Sequence, residues 1–276
     1  MFTMVLVITK KTADTIAAAK EEITVSLDLR KSQTTIKISR AVVEIGTQKI
    51  PQNDFKNLKE HFLYALEDNQ VKRIAFFSDE TQTYYKLVPT TDWPTFTLSS
   101  TPMHRSTHIS PKEDTKRKMK LIDPIKGIVL DTCGGAGYTA IWAARFADEV
   151  HTFEKDSNVL RLAEYNPYSQ ELFTNKKIQV HEEDISSGIR SFKNNFFQRI
   201  VHDPPTFTRA PELYHPLFYE QLYRVLVPHG ILYHYAPMPD KTKGKQFYLS
   251  ILNHLKEAGF RNVEYHEDAS GIRAVK

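Results

Sequence analysis

Four acidic residues fall where short apolar runs end. Asp131 follows Ile128-Val129-Leu130, Glu154 follows Val150-His151-Thr152-Phe153, Asp184 comes shortly after Ile178-Gln179-Val180-His181, and Asp203 follows Arg199-Ile200-Val201-His202. Each carboxylate alone reads as a helix N-cap or a solvated loop acid. As a set at successive strand ends they repel one another in an apolar setting, so solvent or a cationic ligand has to compensate them. The fourth belongs to Asp203-Pro204-Pro205-Thr206-Phe207. Two consecutive prolines make a stiff backbone without N–H groups, leaving carbonyls as acceptors. An aspartate and carbonyls together can hold and orient an amine NH2, and an aromatic side chain two residues on can stack on a flat base.

A third stretch supplies the close approach to a ligand. Ile128-Val129-Leu130-Asp131 runs through Thr132-Cys133-Gly134-Gly135-Ala136-Gly137 into Tyr138-Thr139-Ala140, a strand, a glycine turn and a helix start over 138–146. Glycines let the backbone approach a ligand, and the first helical turn offers unpaired N–H groups. Gly135-x-Gly137-x-x-Ala140 fits a dinucleotide fingerprint, with Glu154 placed to hold a ribose. The same layout binds S-adenosylmethionine. The acidic strand ends decide between them: an ammonium, a sulfonium, ribose hydroxyls and an exocyclic amine suit four separated carboxylates, and a pyrophosphate suits them poorly.

The elements that position these residues alternate from residue 128 on. Strands at 128–131, 150–154, 178–181, 199–202, 231–235 and 263–266 are separated by helices at 158–166, 186–192, 212–226 and 243–258, the last closed by Gly259. Such alternation predicts a doubly wound parallel α/β sheet with its ligands at the carboxyl ends of the strands. Residues 1–100 carry no glycine loop and read as a small α+β domain, so the expected division is 1–100 and 101–276. It has strands at 4–8, 24–29, 35–38, 42–45, 73–78 and 84–89, and helices at 12–22 and 55–69. Residues 89–102 hold three prolines and read as a linker. Ser110, Pro111 and Glu113 then mark a helix start, and the basic run Lys116-Arg117-Lys118 on that helix is placed to close over the cofactor or to lie exposed on the sheet edge.

The 276 residues carry a net charge of +4, which is compatible with a polyanionic substrate and equally with an ordinary solvated surface. Cys133 is the only cysteine, which excludes an internal disulfide and a two-cysteine mechanism for methylating carbon 5 of a pyrimidine. The apolar run at 1–8 is too short to cross a bilayer, so a cytoplasmic location is expected. His104, His108 and His202 lack metal-ligand spacing, and no metal is expected.

From Met103 on, the chain resembles predicted archaeal class I S-adenosylmethionine-dependent methyltransferases grouped with spermidine synthase-like proteins. The resemblance rests on Met103-His104-Arg105, Pro111-x-x-Asp114-Thr115-x-x-Lys118, Leu130-Asp131-Thr132-Cys133-x-Gly135-x-Gly137-Tyr138-Thr139-Ala140, Glu154-Lys155-Asp156, Asn166-Pro167 and His202-Asp203-Pro204-Pro205-x-Phe207. It implies a Rossmann-like class I methyltransferase sheet. It also implies that Asp131 and Gly135 sit at the methionine end of the donor, Glu154 at the ribose and Asp184 at the adenine amine, with Asp203 facing the transfer site. Thr132, Cys133, Gly137, Tyr138, Thr139, Lys155, Ile185 and His202 complete the candidate donor site, and Pro204, Pro205 and Phe207 join Asp203. His104, Arg105, Lys118, Arg209 and Tyr214 are the candidate substrate contacts, although Arg209 and Tyr214 can equally pack the loop. Gly134 departs from the family's bulkier residue, which predicts a more flexible turn.

The function expected is S-adenosylmethionine-dependent methyl transfer to a base nitrogen in RNA, either tRNA or rRNA, by a chain able to form a homodimer. One alternative is aminopropyl transfer from decarboxylated S-adenosylmethionine to a small-molecule amine, which an acidic site also suits. The long Gly-Gly-Gly-Asp run of such enzymes is missing here. Another is a non-catalytic cofactor-binding partner subunit, and a dehydrogenase comes last.

Overall fold

The computed structural model describes residues 5–237 and 245–276, and its chain divides into two compact units, 1–111 with 158–170 and 112–157 with 171–276. The C-terminal unit is built on seven strands: β1 (Ile128–Asp131), β2 (Glu149–Phe153), β3 (Ile178–His181), β4 (Phe197–His202), β5 (Leu226–Tyr235), β6 (Arg261–His266) and β7 (Gly271–Val275). They lie in the order β3-β2-β1-β4-β5-β7-β6. The first five are parallel, and β7 is antiparallel to both β5 and β6. The expected doubly wound sheet is present, closed by a hairpin at one edge. β7 has no counterpart in the expected strands, because Gly271-Ile272-Arg273-Ala274-Val275 is short and carries an arginine between its apolar residues.

Parallel strands are buried on both faces, which explains the near-continuous apolar runs of β1, β4 and β5. Leu130, Ile200, Leu232 and Ile272 of the sheet pack into one core with Phe218 and Leu222 of the helix Pro216–Val225 and with Ile251 and Leu255 of the helix Lys245–Glu257. The expected start of that last helix at 243 lies outside the described residues. β1 sits between β2 and β4, with Asp131 in register with Thr152 on one side and Val201 on the other. The sheet order therefore carries the ends of β1 and β4 to adjacent positions.

The N-terminal unit holds three antiparallel sheets, with the helix Lys10–Ala18 and a core of Ile8, Ile16, Leu27, Ile36, Val43, Ile50 and Phe55. The strands at 34–39 and 42–45 match the alternation of the sequence. The expected helix over 55–69 is corrected: Gln52–Phe55 is a single 3-10 turn, and Leu63–Glu67 is a strand paired with Val7–Thr9 and Gln70–Arg73. Asp68 and Asn69 both take positive φ, 52° and 59°, as the two central residues of a tight hairpin do. That turn, and the burial of Leu63, Tyr64, Ala65 and Leu66 in succession, mark a fully buried strand rather than one face of a helix. The expected linker at 89–102 also contains a strand, Thr95–Leu98, paired with Thr83–Val88; Pro94 precedes it, and Pro102 lies in the short edge strand Thr101–Pro102, opposite Thr97. The expected strand at 4–8 is found as Val7–Thr9, residue 4 lying outside the described residues.

Leu232 is fully buried at the centre of the sheet core. Leu232→Ala is expected to destabilise the C-terminal unit by about 2–5 kcal/mol, read as a lower urea midpoint of its unfolding.

Candidate functional site

The carboxyl ends of β1, β2, β3 and β4 carry Asp131, Glu154, Asp184 and Asp203, as expected. Two of them are compensated by lysines that the sequence offered as ligand contacts, and two are held by hydroxyls and backbone N–H groups. Asp203 Oδ2 lies 2.7 Å from Lys118 Nζ, which also lies 2.7 Å from Asp114 Oδ2. The Lys118 side chain is 6% exposed. Burial works against its charge, but Asp203 and Asp114 outweigh that and hold the ammonium above the ordinary lysine range. Lys118, expected as a substrate contact, is instead held between two carboxylates. The spacing Asp114-x-x-x-Lys118, one helical turn, was the signal that could have shown this.

Lys155 bridges Asp184 at 3.3 Å and Glu212 at 3.2 Å. Asp184 caps the short helix Ile185–Gly188, its Oδ1 accepting from the Ser186 N–H at 2.8 Å. Burial pushes Asp184 up, yet the Ser186 hydrogen bonds and Lys155 hold it below its ordinary value. Both oxygens thus already have partners, and Ile185 behind them is buried.

Among the described residues, neither Asp131 nor Glu154 is paired with a lysine. Asp131 is fully buried; its Oδ2 accepts from Thr139 Oγ1 at 2.9 Å and Thr152 Oγ1 at 3.1 Å, while Oδ1 has no hydrogen-bond partner among the described residues. Burial pushes its pKa up to about 6, against those two hydroxyls. Glu154 Oε2 accepts from the Gly135 N–H at 3.1 Å and Oε1 from the Asp156 N–H at 3.0 Å. Burial still pushes it up to about 7. A carboxylate oxygen has two lone pairs, so each retains room for a further donor. Thr152, which the sequence reading passed over, and Thr139 orient Asp131 from neighbouring elements.

The glycine turn is tightly held, which corrects the expected flexibility. The Gly134 N–H donates to the Phe153 carbonyl at 2.7 Å, and its own carbonyl accepts from the Gly137 N–H at 2.7 Å. A Cβ at position 134 would meet Thr152 Oγ1 at 2.5 Å, so the absent side chain is what lets the turn close on β2. Gly137 precedes the helix Tyr138–Ala144 with φ 75°, a left-handed conformation that favours glycine. Tyr138 is buried at the start of that helix. Burial pushes the Cys133 thiol well above its usual range.

His202 is corrected as a donor contact. It is fully buried, with Nδ1 2.7 Å from Thr132 Oγ1 and Nε2 3.2 Å from the Leu213 carbonyl. Burial lowers its pKa well below the ordinary value, leaving a neutral imidazole that ties the end of β1 to the segment after β4. Thr132 faces it and is likewise buried. Tyr214 packs the loop: its hydroxyl donates to the Pro205 carbonyl at 2.7 Å. Phe207 is half exposed and meets Tyr214 and Phe247 at ring distances of 5.8 and 5.9 Å. A cavity of about 900 Å³ is lined by Phe207, Tyr214, Phe247, Glu212, Arg190 and His254 among others. Arg209 is exposed on the same loop, its N–H bonded to the Thr206 carbonyl. His104 and Arg105 belong to the N-terminal unit, where His104 Nδ1 lies 3.0 Å from Thr95 Oγ1. Among the described residues no cluster could hold a metal ion, and no helix is long and apolar enough to cross a membrane.

The chain is 39% identical over 285 residues to an uncharacterized protein of Methanocaldococcus jannaschii, MJ1233, covering 100% of this chain and 97% of that one. It is 26% identical over 138 residues to a polyamine aminopropyltransferase of Prochlorococcus marinus, spanning 48% of this chain and 47% of that one. Among solved structures, a spermidine synthase in complex with the transition-state analogue AdoDATO superposes with TM-score 0.57 at 16% identity, over 73% of this chain and 71% of that one. The Thermotoga maritima spermidine synthase gives 0.54 at 16% identity, over 73% and 70%. These structural likenesses establish the Rossmann-like fold shared by class I methyltransferases and aminopropyltransferases. No protein-family model matches the chain.

Asp131 and Glu154 sit above their ordinary values of 3.8 and 4.5. The stability they lend is therefore fully present below about pH 4 and is lost as pH rises through 6 and 7. In ligand-free protein, Glu154→Gln is expected to become progressively more stable than the parent chain as pH rises from about 4.5 to 7, by up to about 3 kcal/mol, and to hold that margin above. Parallel pH dependence of the two urea midpoints would contradict the burial of that charge.

Proposed function

The chain belongs to the family of the Methanocaldococcus jannaschii protein MJ1233, and from that premise we propose that it is an S-adenosylmethionine-dependent methyltransferase acting on a base nitrogen of RNA, in tRNA or rRNA. The observation that carries this reading is the buried Asp131 Oδ1, without a hydrogen-bond partner among the described residues, beside the glycine turn, with Glu154 next to it and no described lysine on either. A buried acceptor without a donor is costly, and the ammonium of S-adenosylmethionine relieves that cost. Glu154 has the lone pairs to accept from ribose hydroxyls. The donor supplies a methyl group on a sulfonium: the acceptor nitrogen forms the N–C bond, the C–S bond breaks with its pair going to sulfur, and the nitrogen then releases its proton to solvent.

The rest of the work is positioning, and it falls to this chain's own residues. Asp203 keeps Oδ1 as an acceptor for an N–H, since Oδ2 is taken by Lys118. Phe207, four residues on, offers a half-exposed ring on the same loop. A second reading, aminopropyl transfer from decarboxylated S-adenosylmethionine, is favoured by the aminopropyltransferase relative and the spermidine synthase folds. An excess of carboxylates over lysines at the sheet edge suits that more cationic donor as well.

Incubation with methyl-labelled S-adenosylmethionine and total RNA, followed by nuclease digestion, is expected to release label in a modified nucleoside. Incorporation only from the decarboxylated donor, into an amine, would establish the second reading instead. Asp203→Ala is expected to lower methyl transfer by about 10²-fold while leaving donor affinity near that of the parent chain. Donor binding at pH 6.5 is expected to release protons, because Asp131 and Glu154 must ionise to hold it; calorimetry in buffers of different ionisation enthalpy reads the number directly.

A further inference from the structure

Lys118 does more than satisfy two carboxylates. It lies inside the C-terminal unit, its side chain 6% exposed, with Asp114 at 2% and Asp203 at 25%. Its Nζ is 5.4 Å from the centre of the Tyr235 ring, a further favourable contact for a cation. Asp203 is the most solvent-open member of the triad and the one that follows β4. Its charge is felt at Asp131, where it contributes to raising that pKa. Lys118, shared between Asp203 and Asp114, offsets part of the charge at the position where the acceptor nitrogen is proposed to lie. A carboxylate there without it would attract a protonated amine more strongly than one that already holds an ammonium at 2.7 Å.

Resting on the methyltransferase reading, we propose that Lys118 is a positioning residue that sets the acceptor class. By holding Asp203 in an ion pair, it reserves the place beside Oδ1 for a nitrogen that arrives uncharged, an N–H on a planar ring, and turns away protonated aliphatic amines. Discrimination of this kind is a difference between two affinities, and it is achieved by removing an attraction for the wrong ligand as much as by adding one for the right ligand. The same pairing fixes the Asp203 carboxylate, so that Oδ1 is presented in one orientation.

The test uses putrescine, a diamine protonated at both ends at pH 7.5, titrated calorimetrically at low salt into the full chain saturated with S-adenosylhomocysteine. The parent chain is expected to bind it no tighter than millimolar. Lys118→Met is expected to bind it on the order of tenfold tighter or more, as a newly exposed carboxylate–ammonium contact gives. Lys118→Arg is expected to restore the weak binding, a rescue that loss of fold would not produce. Because Lys118→Met strands the buried Asp114, the double variant Lys118→Met/Asp114→Asn keeps the experiment decisive: it leaves only Asp203 charged and is expected to show the same gain. Micromolar binding of putrescine by the parent chain overturns the proposal, as does a folded variant, saturable with S-adenosylhomocysteine, that gains nothing. Failure of the parent chain to bind S-adenosylhomocysteine or S-adenosylmethionine at all counts against the methyltransferase reading itself, a separate outcome read before any diamine is added.

Discussion

A carboxylate taken out of water must find positive charge nearby or give up its own, and the edge of the C-terminal sheet is arranged by that constraint. Among the described residues, the acidic side chains that gather there include Asp114, Asp131, Glu154, Asp184, Asp203 and Glu212. Two lysines answer four of them, Lys118 for Asp114 and Asp203, and Lys155 for Asp184 and Glu212. The two pairs differ in kind. Lys155 is half exposed and its contacts are screened by solvent, whereas Lys118 is enclosed and its removal would leave charge stranded.

The remaining two carboxylates define the site by what they lack. Asp131 and Glu154 are held by hydroxyls and backbone N–H groups, which orient them without neutralising them. Their pKa values rise accordingly, to about 6 and about 7. An arrangement this unfavourable in the empty fold is what a cationic ligand with hydroxyl donors, as proposed above, would relieve. The glycine turn between them is rigid by hydrogen bonding, so the cradle is built before the ligand enters rather than around it.

Below the site lies a second, neutral polar layer. His202 connects Thr132 to the Leu213 carbonyl, Tyr219 meets His234 Nε2 at 3.0 Å, and the two histidine rings stand edge to face at 4.6 Å. Burial keeps both imidazoles uncharged. These groups join the ends of β1, β4 and β5 to the helix Pro216–Val225, and Tyr214 extends the connection to Pro205. The loop carrying Asp203 is thereby supported from beneath by hydrogen bonds and from the side by an ion pair.

Much of this was legible in the residues themselves. The doubly wound sheet, the glycine turn and the four acidic strand ends follow from local patterns: apolar runs of four to six residues, glycines at set intervals, and polar residues where each run stops. These are consequences of backbone geometry and burial that act over a few neighbours. The strand at Leu63–Glu67 was misread because a short apolar run fits one face of a helix as well as a buried strand, and only its pairing with Val7–Thr9 settles which. Likewise, nothing in the spacing told whether Lys118 would also reach Asp203, whether His202 would line the site or lie under it, or whether the Tyr214 hydroxyl would meet a ligand or the Pro205 carbonyl. The sequence by itself determined the fold class and the set of groups able to do chemistry; the tertiary structure decided which carboxylates are answered by lysines and which are left for a ligand. The reason is distance: Lys118 and Asp203 are 85 residues apart in the chain and 2.7 Å apart in space, and charge compensation depends only on the second of these.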